Sequence, residues 1–220
     1  MKTRTRIKIC GITTTADARE VANAGVDALG FIFVEKSPRY VSVSKATEIA
    51  ACLPPFIDLV GVFVDRDILE VAEIVRAVGL SYVQLHGNEE PDYCRQIAQK
   101  VRSCRVIKAF RVGSKSRDED FAIYNDVSCG FLLDTYVKEQ AGGTGQAFDW
   151  RLIEDLNLQR PVILAGGLGP GNIQEAIRIA RPFGVDVNSG VEVAPGIKDH
   201  PKIHELMDQV RQADSRAQSS

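Results

Sequence analysis

The sequence lacks the features that would place it in several large functional classes. It has no strong charge of either sign: Lys and Arg number 27, Asp and Glu 29, and the formal net charge is -2. No global basic field is available to gather nucleic acid or an anionic membrane. No apolar run reaches the roughly 18 residues that a membrane span needs. The opening "MKTRTRIKIC" is basic but carries no apolar signal-peptide region. These absences lead us to expect a cytoplasmic protein with neither nucleic acid nor membrane as a partner. The five cysteines (10, 52, 94, 104 and 129) are odd in number and show no C-x-x-C spacing. That argues against a disulfide framework or a zinc site and for reduced thiols. No G-x-G-x-x-G follows the first β-like run, because "CGITTT" cannot make a dinucleotide-binding turn.

What the sequence does have is a repeat of alternating β and helical patterns. The β-like runs are "RIKICG" (6–11), "ALGFIFV" (28–34), "DLVGVFV" (58–64), "YVQLHG" (82–87), "RVIKAFRV" (105–112), "GFLLDTY" (130–136), "PVILAGG" (161–167) and "GVDVNSG" (184–190). Most are apolar on both faces, as strands buried in a parallel sheet are. Between and after them lie stretches such as "DILEVAEIVRAVG" and "GNIQEAIRIARP". Their apolar residues recur at three- and four-residue intervals, which predicts helices with one buried face. Eight such units in 220 residues fit a single (β/α)8 barrel domain spanning residues 1–220, its polar end from 212 to 220 expected to fray.

In such a barrel the chemistry sits at the C-terminal ends of the strands. Alternate strand residues share a face, so Lys8 goes with Cys10, Gln84 with His86, and Asp186 with Asn188. The apolar remainder is best placed between sheet and helices, which turns these polar sets inward. A cysteine on a strand is ordinarily a small buried hydrophobe. Cys52 and Cys94 fall in helical patterns and Cys104 and Cys129 precede strands; only Cys10 ends one. Asp134 closes the apolar run "GFLLD", where a carboxylate has little structural use. His86 before Gly87 also suits an ordinary turn.

Two glycine-rich turns follow the last two β runs: "LAGGLGPGN" and "NSGVE". Glycines let the backbone approach a ligand and aim N–H groups at it. Phosphate sites in these barrels are commonly built after strands 7 and 8. Gly166, Gly167, Ser189 and Gly190 are the candidate phosphate-binding residues. Plain turn chemistry is the simpler alternative. A further stretch, "GGTGQAFDW", is a candidate lid or source of donors.

Taken together, "KICGIT", "GFIFVEKSPRYV", "VGVFV", "VQLHGNE", "FLLDT…GGTGQAFDW", "LAGGLGPGNIQEAI" and "DVNSGVEVAPGIKD" resemble the phosphoribosylanthranilate isomerase family over nearly the whole chain. The resemblance implies the (β/α)8 fold and an Amadori rearrangement of N-(5-phosphoribosyl)anthranilate, with no metal or organic cofactor. It implies Cys10 as general base, Asp134 as general acid and Arg39 of "SPRY" at the anthranilate end. The implied partner is this small phosphosugar–anthranilate substrate, and members of the fold exist as monomers and homodimers. Asn188 departs from the smaller residue expected in "DVSSGVE". We expect Gln84 and His86 to contact substrate, and Lys8, with Asp186 as its ion-pair partner, either to tune the Cys10 thiol or simply to be neutralised by that aspartate on the barrel floor. Among rival phosphosugar barrels, a histidine-pathway aldose isomerase would carry an acid on strand 1, and a metal-dependent epimerase would carry ligands on several strands. A Schiff-base aldolase would need a buried strand lysine at the mouth, and Lys108 on strand 5 could be taken for one. A non-catalytic phosphosugar-binding barrel would lack the acid and base.

Overall fold

The computed structural model describes residues 4–134 and 150–218. Eight parallel strands close into a barrel: β1 (Arg6–Ile9), β2 (Ala28–Ile32), β3 (Asp58–Phe63), β4 (Tyr82–Leu85), β5 (Arg105–Arg111), β6 (Gly130–Asp134), β7 (Val162–Ala165) and β8 (Gly184–Val187). Closure comes from β1, which pairs with β2 on one side and β8 on the other. The helices follow in alternation: α1 (Thr15–Asn23), α2 (Val43–Ala51), α3 (Ile68–Val78), α4 (Pro91–Lys100), α5 (Asp118–Ala122), α6 (Arg151–Glu154), α7 (Ile173–Ala180) and α8 (His200–Gln218).

Local chemistry sets several boundaries. The Thr14, Ser42 and Asp67 side chains accept N–H groups at the starts of α1, α2 and α3. Gly79, in the left-handed region at φ 74°, ends α3. Pro91 opens α4, where its missing N–H costs nothing.

The main core lies between sheet and helices and includes Ile9, Leu29, Phe31, Phe63, Leu85, Phe131 and Leu164. A smaller apolar group of Ile107, Ala109, Leu132 and Ala165 fills part of the barrel interior. Strand register carries the inner face around the ring. Lys8 lies opposite Asp186, Gln84 opposite Ile107, and Asp134 opposite Ala165. Neighbours in register share a face, so the polar sets do point into the barrel.

Three features differ from expectation. The strands stop one to three residues early, and Cys10 and His86 sit just past their ends; their N–H groups still bond to Val187 and Phe63 carbonyls at 2.9 Å. Residues 212–218 continue α8 instead of fraying. Asp214 holds the Thr5 N–H and hydroxyl at 2.9 and 2.7 Å, so the end of the helix has a tertiary anchor. A short antiparallel hairpin, β9 (Glu192–Ala194) with β10 (Ile197–Lys198), follows β8. Its turn is Pro195–Gly196, with Gly196 at φ 81°, the conformation a Pro-Gly turn requires. Among the described residues, no helix is long and apolar enough to cross a membrane.

Candidate active site

At the end of β1, Cys10 is 5% exposed and packs beside β2. A side chain on Gly30 would meet its sulfur at 2.8 Å and the Lys8 Cε at 3.1 Å, so only glycine leaves room there. Lys8 and Asp186 form a buried ion pair at 2.9 Å on the barrel floor. Oδ1 of that aspartate has no hydrogen-bond partner among the described residues. Burial works against the Lys8 charge, but Asp186 and Cys10 outweigh it and hold the ammonium above its ordinary value. Burial also pushes the Cys10 thiol up. Lys8 pulls it down, but Asp186 pushes the other way, and the net shift is upward. Lys8 thus pulls the thiol in the expected direction without prevailing, because burial, the largest influence, and Asp186 both push against it.

Asp134 ends β6, three strands from Cys10 around the ring by way of β7 and β8. Its Oδ2 lies 3.5 Å from His86 Nε2, and both side chains are about a quarter exposed, at 25 and 26%. Gln84, buried beneath, places Nε2 3.2 Å from His86 Nδ1. Gln84 and His86 thus form a short polar column ending at Asp134. Arg111 at the end of β5 is paired in register with Asp134 and is exposed at the same rim, a cation that the strand reading passed over.

Arg39 reaches the site from the loop after β2. Glu192 grips its guanidinium: Nε lies 3.0 Å from both carboxylate oxygens and Nη2 lies 2.7 Å from Oε2. The Lys198 ammonium lies 2.8 Å from the other side of Glu192, at Oε1. It also donates to the Asn188 side-chain oxygen at 3.1 Å. Gly11, at φ 74°, fits between Asn188 and Arg39, because a side chain there would meet Asn188 Oδ1 at 2.7 Å and Arg39 Cδ at 2.9 Å. Sequence reasoning missed Glu192 and Lys198. The available signal was the "VEVAPGIKD" hairpin pattern, which pairs Glu192 with Lys198 across the Pro-Gly turn.

The loops after β7 and β8 touch. Gly166 and Gly167 have φ of 93° and 62°. Asn172 staples the first loop, accepting from Gly169 N–H at 2.9 Å and donating to the Gly167 carbonyl at 3.0 Å. Ser189 and Gly190 lie in a single 3-10 turn, Ser189–Val191. A Cβ on Gly190 would overlap the Leu168 carbonyl oxygen, so the close approach of the two loops requires glycine. Gly190 thus packs against Leu168 and Gly169, in the same loop that carries Gly166 and Gly167. The candidate lid at 142–149 lies outside the described residues.

Lys108 is not part of this site. It lies on the outer face of β5, in register with Leu85 and Phe131 of the sheet–helix core. Its ammonium is 3.1 Å from buried Glu89 and donates to the Gly87 carbonyl at 2.8 Å. A Schiff base there could not face a ligand in the barrel mouth, which removes Lys108 as an aldolase lysine.

Residues 7–209 match the family model of N-(5'-phosphoribosyl)anthranilate (PRA) isomerase. An N-(5'-phosphoribosyl)anthranilate isomerase from Trichlorobacter lovleyi is 46% identical over 209 residues, 94% of this chain and 98% of the relative. The crystal structure of phosphoribosyl anthranilate isomerase from Thermotoga maritima superimposes with a TM-score of 0.82 at 41% identity, covering 94% of this chain and 99% of that one. A second crystal structure, of a phosphoribosyl anthranilate isomerase in complex with reduced 1-(o-carboxyphenylamino)-1-deoxyribulose 5-phosphate, has a TM-score of 0.79 at 39% identity with the same coverage.

Proposed function

Because this chain belongs to the N-(5'-phosphoribosyl)anthranilate isomerase family, an isomerase family of tryptophan biosynthesis, we propose that it converts N-(5-phosphoribosyl)anthranilate to 1-(2-carboxyphenylamino)-1-deoxyribulose 5-phosphate, with Cys10 as general base and Asp134 as general acid. The observation that supports this assignment of roles is one thiol just past the end of β1 and one carboxylate at the end of β6, at the same end of the barrel.

The chemistry needs one acid and one base. Asp134 gives a proton to the furanose ring oxygen, and the C1–O bond breaks as the anilino nitrogen's lone pair forms an iminium. Cys10 as thiolate takes the proton from C2, and the C–H electrons close a C1=C2 bond while the iminium electrons return to nitrogen. The resulting enolamine tautomerises: the C2 hydroxyl loses its proton, C1 gains one, and the ketone forms. The iminium is the electron sink, so the sequence balances without a redox partner.

The ground state of Cys10 is a thiol raised by burial. Its activation falls to the bound substrate, whose iminium places a positive charge beside the sulfur as the ring opens. The His86 contact positions Asp134. Arg39 offers Nη1, which has no partner among the described residues, to the anthranilate carboxylate. Gly166, Gly167, Ser189 and Gly190 receive the phosphate on backbone N–H groups. Gripping both ends of the substrate holds its reacting carbons between the acid and the base.

Following the fluorescence of phosphoribosylanthranilate as it disappears tests the reading. Wild type consumes it, and Cys10→Ser and Asp134→Asn each slow consumption by about 10²–10⁴-fold. Full rates in both variants would refute the assigned roles.

A further inference from the structure

The Arg39–Glu192–Lys198 cluster is more heavily built than an arginine clamp needs. Glu192 and Lys198 have side chains only 4 and 0% exposed, and Arg39 is 20% exposed. Glu192 is saturated: besides the two cations, it accepts the Gly196 N–H at 3.2 Å. One carboxylate thus stands between two cations, leaving the cluster one positive charge in excess. Asp17 lies behind, accepting the Lys198 backbone N–H at 3.3 Å and pairing with His200 at 2.8 Å, and none of these contacts is with the Arg39 guanidinium or the Lys198 ammonium. The nearby Lys8 and Asp186 already neutralise each other.

A buried ammonium is costly unless it is used. Had the chain left only Arg39 and Glu192, the pair would be neutral and the guanidinium would have little attraction left for a ligand anion. We propose that Lys198 is a specificity-determining positioning residue: by occupying one oxygen of Glu192 it lets that carboxylate fix the orientation of Arg39 without neutralising it, and the surplus charge selects ligands that carry a carboxylate on the aromatic ring. The inference rests on the isomerase reading and on the place of Arg39 at the anthranilate end.

The test compares two ligands, reduced 1-(o-carboxyphenylamino)-1-deoxyribulose 5-phosphate and its phenylamino counterpart without the carboxyl, by isothermal titration. Lys198→Met loses on the order of ten-fold of the wild-type preference for the carboxylated ligand. In turnover, its KM rises with little change in kcat. The double variant Lys198→Met with Glu192→Gln leaves Arg39 as the one uncompensated charge while the amide oxygen at position 192 still accepts from its guanidinium, and it recovers the preference. A purely structural role predicts the opposite, a double variant no better than the single. An unchanged preference in Lys198→Met, or no recovery in the double, overturns the proposal. Should Lys198→Met fail to fold, the 13C-lysine spectrum of the unaltered protein decides. The buried Lys198 ε-carbon signal shifts with the carboxylated ligand and not with its counterpart. A signal that responds equally to both, or to neither, overturns the proposal. Failure of the isomerase reading is separately visible, as absence of phosphoribosylanthranilate consumption by wild type.

Discussion

Removing the Lys8 ammonium isolates the forces that set the Cys10 thiol. Burial raises that thiol, Lys8 lowers it and Asp186 raises it again. The Lys8 ammonium acts on the sulfur both as a nearby charge and as a hydrogen-bond donor. Lys8→Met removes both and should therefore raise the Cys10 thiol further. It also strands Asp186, whose Oδ1 already lacks a partner among the described residues. An uncompensated buried charge costs about 3–5 kcal/mol, so the control is Lys8→Met with Asp186→Leu, which removes both charges. The thiol should then titrate lowest in wild type, higher in the double variant and highest in Lys8→Met, because the Lys8 influence on the sulfur exceeds that of Asp186. Iodoacetamide alkylation against pH measures it, with Cys10→Ser as the blank. The blank subtracts the other four cysteines, of which burial pushes Cys94 up to about 11 and Cys104 up to about 12. Only the thiolate is the base, so the rising limb of kcat/KM should move to higher pH in the same order. Identical alkylation profiles for wild type and Lys8→Met would show that Lys8 has no influence on the thiol.

Gly190→Ala should weaken phosphate-end binding and cost about 1–3 kcal/mol, because the new methyl group overlaps the Leu168 carbonyl; KM and thermal melting report the two effects. Lys108→Met should lower stability by about 3–5 kcal/mol by stranding Glu89, while borohydride trapping of wild type with sugar phosphates gives no adduct at Lys108. For Glu192, burial is outweighed by Arg39 and Lys198, and its carboxyl titrates below the ordinary range. The stability it contributes is present above that range and is lost as pH falls through the depressed value. Glu192→Gln should therefore flatten the acid side of the melting-temperature profile, and an unaltered profile counts against the ion pairs.

The alternation of β-branched and amphipathic runs determined the architecture, because periods of two and 3.6 are local properties and short connections allow few arrangements of parallel strands. Strand parity likewise put Lys8, Cys10, Gln84, His86, Asp134 and Asp186 on inner faces, since alternation needs no knowledge of neighbours. The strand ends were less legible: hydrogen bonding to the next strand decides where a ladder stops, so Cys10 sits past β1 and not on it. Whether Lys8 could activate Cys10 depended on charge balance in the closed barrel. Lys8 and Asp186 are 178 residues apart and meet only because β1 pairs with β8. The same closure brings Arg39 to Glu192, 153 residues away, and the Pro-Gly hairpin then delivers Lys198 to the far side of that carboxylate. Residue types and periodicity thus determined by themselves which side chains could do chemistry. Only the tertiary structure decided which charges each one faces, because burial and Coulomb forces depend on distance through space, which the order of the chain does not contain.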